Sequence, residues 1–125
     1  MIRKTEYLWA QLVYNKDMKR KHFYSHLVET THITLEIAEL DVSSKERVHL
    51  LSLVEANIHT TVVSKVLDEL SPLDKKKFLS NLSLEDHDKT LSHLKETAGD
   101  IEEKLKKEID KVTKELLEDI KEAKS

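Results

Sequence analysis

Seven histidines and 24 acidic side chains stand in a chain of 125 residues that has no cysteine, so the side-chain chemistry on offer is that of imidazole and carboxylate. Glu29-Thr30-Thr31-His32 has the Glu-x-x-His spacing with which di-iron helical bundles build a carboxylate centre. Glu55 and His59 lie four apart, one turn of a helix, and His22 with His26 repeat that interval. Angular position decides which of these could face a bundle interior. With Leu27 as origin, Phe23, Tyr24, Leu27, Val28, Leu35 and Ala38 fall between about −40° and about +100°, while His32 falls at about 140° and Glu29 at about 200°. Di-iron ligands point inward. Glu29 and His32 are therefore expected on a solvated face, holding no metal, and no cofactor is expected.

The second pair reads differently. With Leu51 as origin, Ile58, Val62 and Val66 fall at about 340°, 20° and 60°, and Glu55 and His59 at about 40° and 80°, inside the apolar stripe. A buried carboxylate without a partner costs several kcal/mol. Glu55 and His59 are thus expected to be a buried polar pair, each bonded to the other or to Tyr or Lys of a neighbouring helix; a contact across a subunit interface and a catalytic couple are the alternatives. No nucleophile, oxyanion donor or cofactor motif accompanies them, so the chain is read as a non-enzyme with no small-molecule substrate. His87 also falls on an apolar stripe and is read as a partly buried helix residue.

Twenty-one basic against 24 acidic residues give a net charge of −3, which offers no global case for nucleic acid. The distribution is uneven. Residues 1–26 hold Arg3, Lys4, Lys16, Lys19, Arg20 and Lys21 against Glu6 and Asp17, a balance of +4, and the rest of the chain is then −7. Lys16, Lys19, Arg20 and Lys21, flanked by Tyr14, Phe23 and Tyr24, form a basic patch. The first reading is attraction between the two ends of one protein; an anionic membrane surface or a nucleic acid is the alternative partner. Tyr7, Trp9 and Leu12, with Leu8 and Val13, concentrate apolar and aromatic surface on a short segment and are candidate interface anchors. No cleavable leader is legible, and no apolar run approaches the ~18 residues of a membrane span. The expected compartment is the cytoplasm.

The elements that must position these groups are helices. One Gly and one Pro leave too few turn residues for a sheet, while 19 Leu, 9 Val and 7 Ile suffice for a small core. A long first helix opens near Thr5 and is read through a weak middle at Thr30-Thr31 to about Leu40. Ser43 and Glu46 have capping-box spacing for a second helix, striped by Val48, Leu51, Val54, Ile58, Val62, Val66 and Leu70. Ser71-Pro72-Leu73-Asp74 starts a short third helix, with Pro at the first position, where its missing N–H costs nothing. Ser83 is expected to cap a fourth helix striped by Leu84, His87, Leu91, Leu94 and Ala98. Gly99 is expected to close it in a left-handed conformation. Asp100 and Glu103 open the last helix, whose seam is Ile101, Leu105, Ile109, Val112, Leu116, Ile120 and Ala123. The seam repeats at about 3.67 residues per turn, so this helix is nearly straight and about 36 Å long. The fold class is all-α: a small helical bundle, residues 1–99, with a long, charged, amphipathic C-terminal helix, residues 100–125.

Leu-Val-Glu-x-x-Ile-His (53–59), Val-Leu-Asp-Glu-Leu-Ser-Pro-Leu-Asp-Lys-Lys-Lys-Phe-Leu (66–79), Asp-Ile-Glu-Glu-Lys-Leu (100–105) and Glu-Leu-Leu-Glu-Asp-Ile (115–120) resemble a family of small, uncharacterised helical proteins of candidate-phyla bacteria (Patescibacteria). The resemblance covers about half the chain, rests on Leu, Glu and Lys patterning and implies no activity. The residues themselves point first to a non-enzymatic interaction or structural protein, a homo-oligomer or a subunit of a larger complex. Ile101, Leu105, Ile109, Val112, Leu116 and Ile120 are its candidate interface, because a narrow seam must cover something; pairing of the whole seam with a second copy is preferred over docking in cis. A Glu/His metal-binding bundle and a surface binder acting through the basic N-terminal patch are the alternatives.

Overall fold

A computed structural model describes residues 22–124. Among these residues it has five α-helices and no strand: α1 (Thr31–Ala38), α2 (Ser44–Glu69), α3 (Pro72–Ser83), α4 (His87–Thr97) and α5 (Ile101–Lys124), preceded by one 3-10 turn at Ser25–Leu27. The protein is all-α, and a long charged helix closes it. Two compact units divide the chain. One holds Glu29–His59 and residues 111–124; the other holds residues 22–28 and Thr60–Asp110. Both α2 and α5 run without interruption from one unit into the other.

The expected continuous helix from near Thr5 to about Leu40 is not formed over its described part, where only Ser25–Leu27 and Thr31–Ala38 are helical. The reason lies in what its apolar residues serve. Phe23 and Tyr24 are buried in the second unit, with Phe23 edge-on to Phe78 of α3 (5.7 Å between ring centroids, 86° between planes), whereas Ile33 and Ile37 are buried in the first. Local polar groups stabilise the break. The Ser25 hydroxyl accepts from the His22 N–H at 2.7 Å, and Glu29 Oε1 accepts from the Thr31 N–H at 2.7 Å. Side chains that bond nearby backbone in this way, Ser above all, compete with helix.

The cap at Ser71 is as the sequence predicts. Its hydroxyl accepts from the Asp74 N–H at 3.3 Å and donates to the Asp74 carboxylate at 3.0 Å, with Pro72 at the first helical position. Ser43 likewise accepts from the Glu46 N–H at 3.2 Å. The start of α4 is different. Asp86, not Ser83, is the cap, accepting from the Lys89 N–H; Ser83 ends α3, and Glu85 turns the chain with φ at 56°. Leu84 consequently falls outside α4 and is 73% exposed, and the buried face of α4 is Thr90, His93 and Leu94. Gly99 does not adopt a positive φ, and Ala98 is the residue that leaves the helix.

Within the second unit α3 packs on α4, and Val62, Val66, Phe78, Leu94, Ile101, Leu105 and Ile109 are buried. Salt bridges and hydrogen bonds tie the 22–28 segment to α5: His26 meets Glu102 at 2.7 Å, and the Lys106 ammonium donates to the Leu27 carbonyl at 3.3 Å. Within the first unit Ile33, Ile37, Leu51, Val54 and Ile58 are buried. Arg47, 5% exposed, donates to the Leu40 carbonyl at 2.9 Å and so fastens the corner between α1 and α2.

Candidate functional site

A concave apolar surface lies in the first unit. It is a groove of about 790 Å³, walled by the end of α1 (Ile37), the corner (Glu39, Leu40, Asp41, Val42), the first half of α2 (Glu46, His49, Leu50, Leu53, Val54, Asn57) and the end of α5 (Leu116, Asp119, Ile120, Ala123). Its walls are Leu, Ile, Val and Ala. Its edge carries Glu39, Asp41, Glu46 and Asp119, all exposed, and none of its described lining residues is Lys or Arg.

The groove follows from the pattern of α2. The face made by Leu51, Val54 and Ile58 is buried. Leu50 and Leu53 lie about 100° and about 160° away from Leu51 around the helix, so they cannot join that face and instead line the groove. A helix that is apolar on both sides needs cover on both. This was the signal in the sequence: two leucines off the stripe, at the end of α2 that follows Asp41-Val42-Ser43. Leu53 keeps 45% of its surface exposed.

The sequence-predicted interface splits in two. Ile101, Leu105 and Ile109 are 0%, 1% and 1% exposed. Burial of such side chains contributes about 1.5–3 kcal/mol each before ordering costs, which is enough to hold the first half of α5 in its own unit. These three are not available to a second copy. Val112, Leu116 and Ile120 are only partly buried, and Leu116 and Ile120 are groove walls. Tyr7, Trp9 and Leu12, and the basic patch of Lys16, Lys19, Arg20 and Lys21, lie outside the described residues.

Glu55 and His59 are half-buried on α2, and neither is without an interaction. Neither lines the groove. Glu29 is turned onto its own backbone, and His32 is exposed. No group of three or more His, Asp and Glu among the described residues is placed to hold a metal ion.

Sequence reasoning overlooked His93. It is 5% exposed, its Nε2 bonds Asp74 Oδ1 at 3.1 Å, and its Nδ1 is buried without a hydrogen-bond partner. The His93 hydrogen bond, with Ser71 behind it, holds the Asp74 carboxyl below its usual value. A His–Asp couple is the orienting half of a catalytic triad, but here the second ring nitrogen faces the interior instead of a cleft, so the couple joins α3 to α4. Glu102 is lowered likewise, by His26 first and Lys95 second. Lys104 lowers Glu69 through a 2.9 Å bond and is itself raised by it. These are partly exposed ties between elements of the second unit.

The chain matches no protein-family model, no curated protein and no solved structure. Among the described residues, no helix is long and apolar enough to cross a membrane.

Proposed function

We propose that the protein is a non-enzymatic interaction module whose first unit receives a basic amphipathic helix. The observation that carries this reading is the groove: about 790 Å³ of Leu, Ile and Val surface rimmed by Glu39, Asp41, Glu46 and Asp119. Helix recognition in grooves uses apolar anchors spaced one turn apart, with flanking charges that select the partner. Acidic flanks select lysine and arginine, and they raise the association rate more than the final affinity.

Methyl-resolved NMR of the full chain tests it. The probe is a synthetic amphipathic peptide of leucine and lysine, compared with one that has the same leucines and glutamate for lysine. The expected result is saturable shifts of the Leu50, Leu53 and Ile120 methyl groups with the lysine peptide, weaker with the glutamate peptide and lost in Leu53→Glu. The same titration on Trp9→Ser guards against a competing segment of the chain itself. Equal response to both peptides, or none in either protein, would remove the proposal.

A further inference from the structure

The groove asks for a positively charged, apolar segment, and the chain contains one. Residues 1–21 hold six basic and two acidic side chains, together with Tyr7, Leu8, Trp9, Leu12 and Val13. The described residues of the first unit supply the complementary acids, at Glu39, Asp41, Glu46 and Asp119. We propose, resting on the helix-receiving reading above, that the N-terminal segment around Trp9 is the resident occupant of the groove in the same chain, so that a partner helix must displace it.

Two further considerations support occupation in cis, and a third observation supplies its control. Lys21 is eight peptide steps from Glu29, the first described residue of the unit that carries the groove. At no more than ~3.6 Å per step, the end of the segment stays within about 29 Å of that unit. A segment of 21 residues spans about 31 Å even if wholly helical, so reach is not limiting. Covalent attachment also raises the local concentration of the segment to the order of millimolar, above that of a second copy in a dilute solution. Finally, two exposed leucines of nearly equal accessibility allow a matched comparison: Leu53 in the groove is 45% exposed and Leu79 on α3 is 47% exposed.

Trp9 is the sole tryptophan, so its fluorescence reports on the segment without labelling. The experiment measures emission maximum and acrylamide quenching on the full chain, on Leu53→Glu, on Leu79→Glu and on the double variant Asp41→Lys, Glu46→Lys, with far-UV circular dichroism confirming that each is folded. The expected result is blue-shifted, quencher-protected emission in the native chain that does not change on dilution. Leu53→Glu and the charge reversal move it to the red and remove the protection; Leu79→Glu leaves it unchanged. Raising salt from about 0.1 M to about 1 M shortens the screening length from about 10 Å to about 3 Å and weakens the protection in part. Any of four results overturns the proposal: a solvent-exposed Trp9 in the native chain, an equal response to Leu53→Glu and Leu79→Glu, protection that disappears on dilution and so belongs to a second copy, or protection that arises only on adding anionic vesicles or DNA. An exposed Trp9 in a chain whose groove methyls still respond to the leucine–lysine peptide removes the cis occupant alone and leaves the interaction reading standing.

Discussion

Replacing Phe78 and Phe23 by leucine, singly and together, tests how the 22–28 segment is held. Phe78 is 0% and Phe23 3% exposed, and their rings meet edge to face at 5.7 Å. Such a pair is worth about 0.5–1.5 kcal/mol beyond the area it buries. Alanine would add a cavity cost of about 3–5 kcal/mol at each site; the two together approach the whole stability of a typical domain, about 5–15 kcal/mol. Leucine keeps most of the volume, and volume-conserving swaps cost under about 1.5 kcal/mol. Each single variant should therefore lose about 1–3 kcal/mol, the sum of the ring pair and the repacking. The double variant should lose less than the sum of the two by about 1 kcal/mol, because the ring pair can be lost only once. Urea unfolding followed by circular dichroism reads these as midpoint shifts at unchanged slope. Additivity within about 0.3–0.5 kcal/mol, the ordinary scatter for independent sites, would show that the rings do not couple and that Phe23 is not what anchors the segment to α3.

Four further outcomes are expected. Gly99→Ala should stabilise by about 0.4–1 kcal/mol, since Gly99 has no positive φ and an added Cβ meets only the Lys95 carbonyl at 3.9 Å; a loss in thermal midpoint would contradict this. Glu85→Gly should also stabilise, by about 0.5–1 kcal/mol, because Glu85 occupies φ 56° at a left-handed cost of about 1–2 kcal/mol that glycine avoids, less the entropy glycine adds to the unfolded chain. Ser71→Ala should cost about 1 kcal/mol and Ser71→Gly only a few tenths, the signature of an N-cap, readable from the same urea curves. The lowered carboxyls of Glu102, Asp74 and Glu69 contribute stability that is complete above the unfolded values of about 4.3 for Glu and about 3.9 for Asp. That contribution is lost as pH falls through the lower folded values, so the urea midpoint should drop on acidification, and His26→Gln should flatten the part due to Glu102; a midpoint indifferent to acid would contradict the ties.

Local signals in the sequence led to the correct elements where the decision was local. Ser71-Pro72-Leu73-Asp74 states its cap within four residues, and of the predicted stripe Leu51, Val54, Ile58, Val62 and Val66 are buried along α2, Leu70 is buried just past its end and Val48 is partly buried. Errors came where two local signals competed or where tertiary packing chose. Ser83 and Asp86 can both cap, and selecting Ser83 placed Leu84 in the helix. His93 escapes the pattern for another reason: it lies about 100° from Leu94 around α4, off the stripe of Leu91, Leu94 and Ala98, and packing against α3 buries it. Phe23, Tyr24, Ile33 and Ile37 fit one helical wheel, yet they serve two units, which no wheel distinguishes. The groove was legible only in part: Leu50 and Leu53 advertise a second apolar face on α2, but that Leu116 and Ile120 of α5 would join them is a long-range fact. The C-terminal seam was read at the right residues, and the burial of its first half in cis follows from packing that periodicity does not carry.

Because α2 and α5 each pass through the unit boundary in mid-helix, the two units are not modules in the genetic sense. A fragment made to carry either one would have to end inside a helix, and every residue near the cut would lose an i to i+4 backbone bond on one side. At these two crossings the boundary therefore offers no linker to a protease and no seam for recombination; among the described residues only the third crossing, between Val28 and Glu29, lies outside a helix, and the groove cannot be transplanted by moving a contiguous stretch of sequence. Its walls come from residues 37–57 and 116–123, so whatever shapes its binding must vary in two distant parts of the chain together.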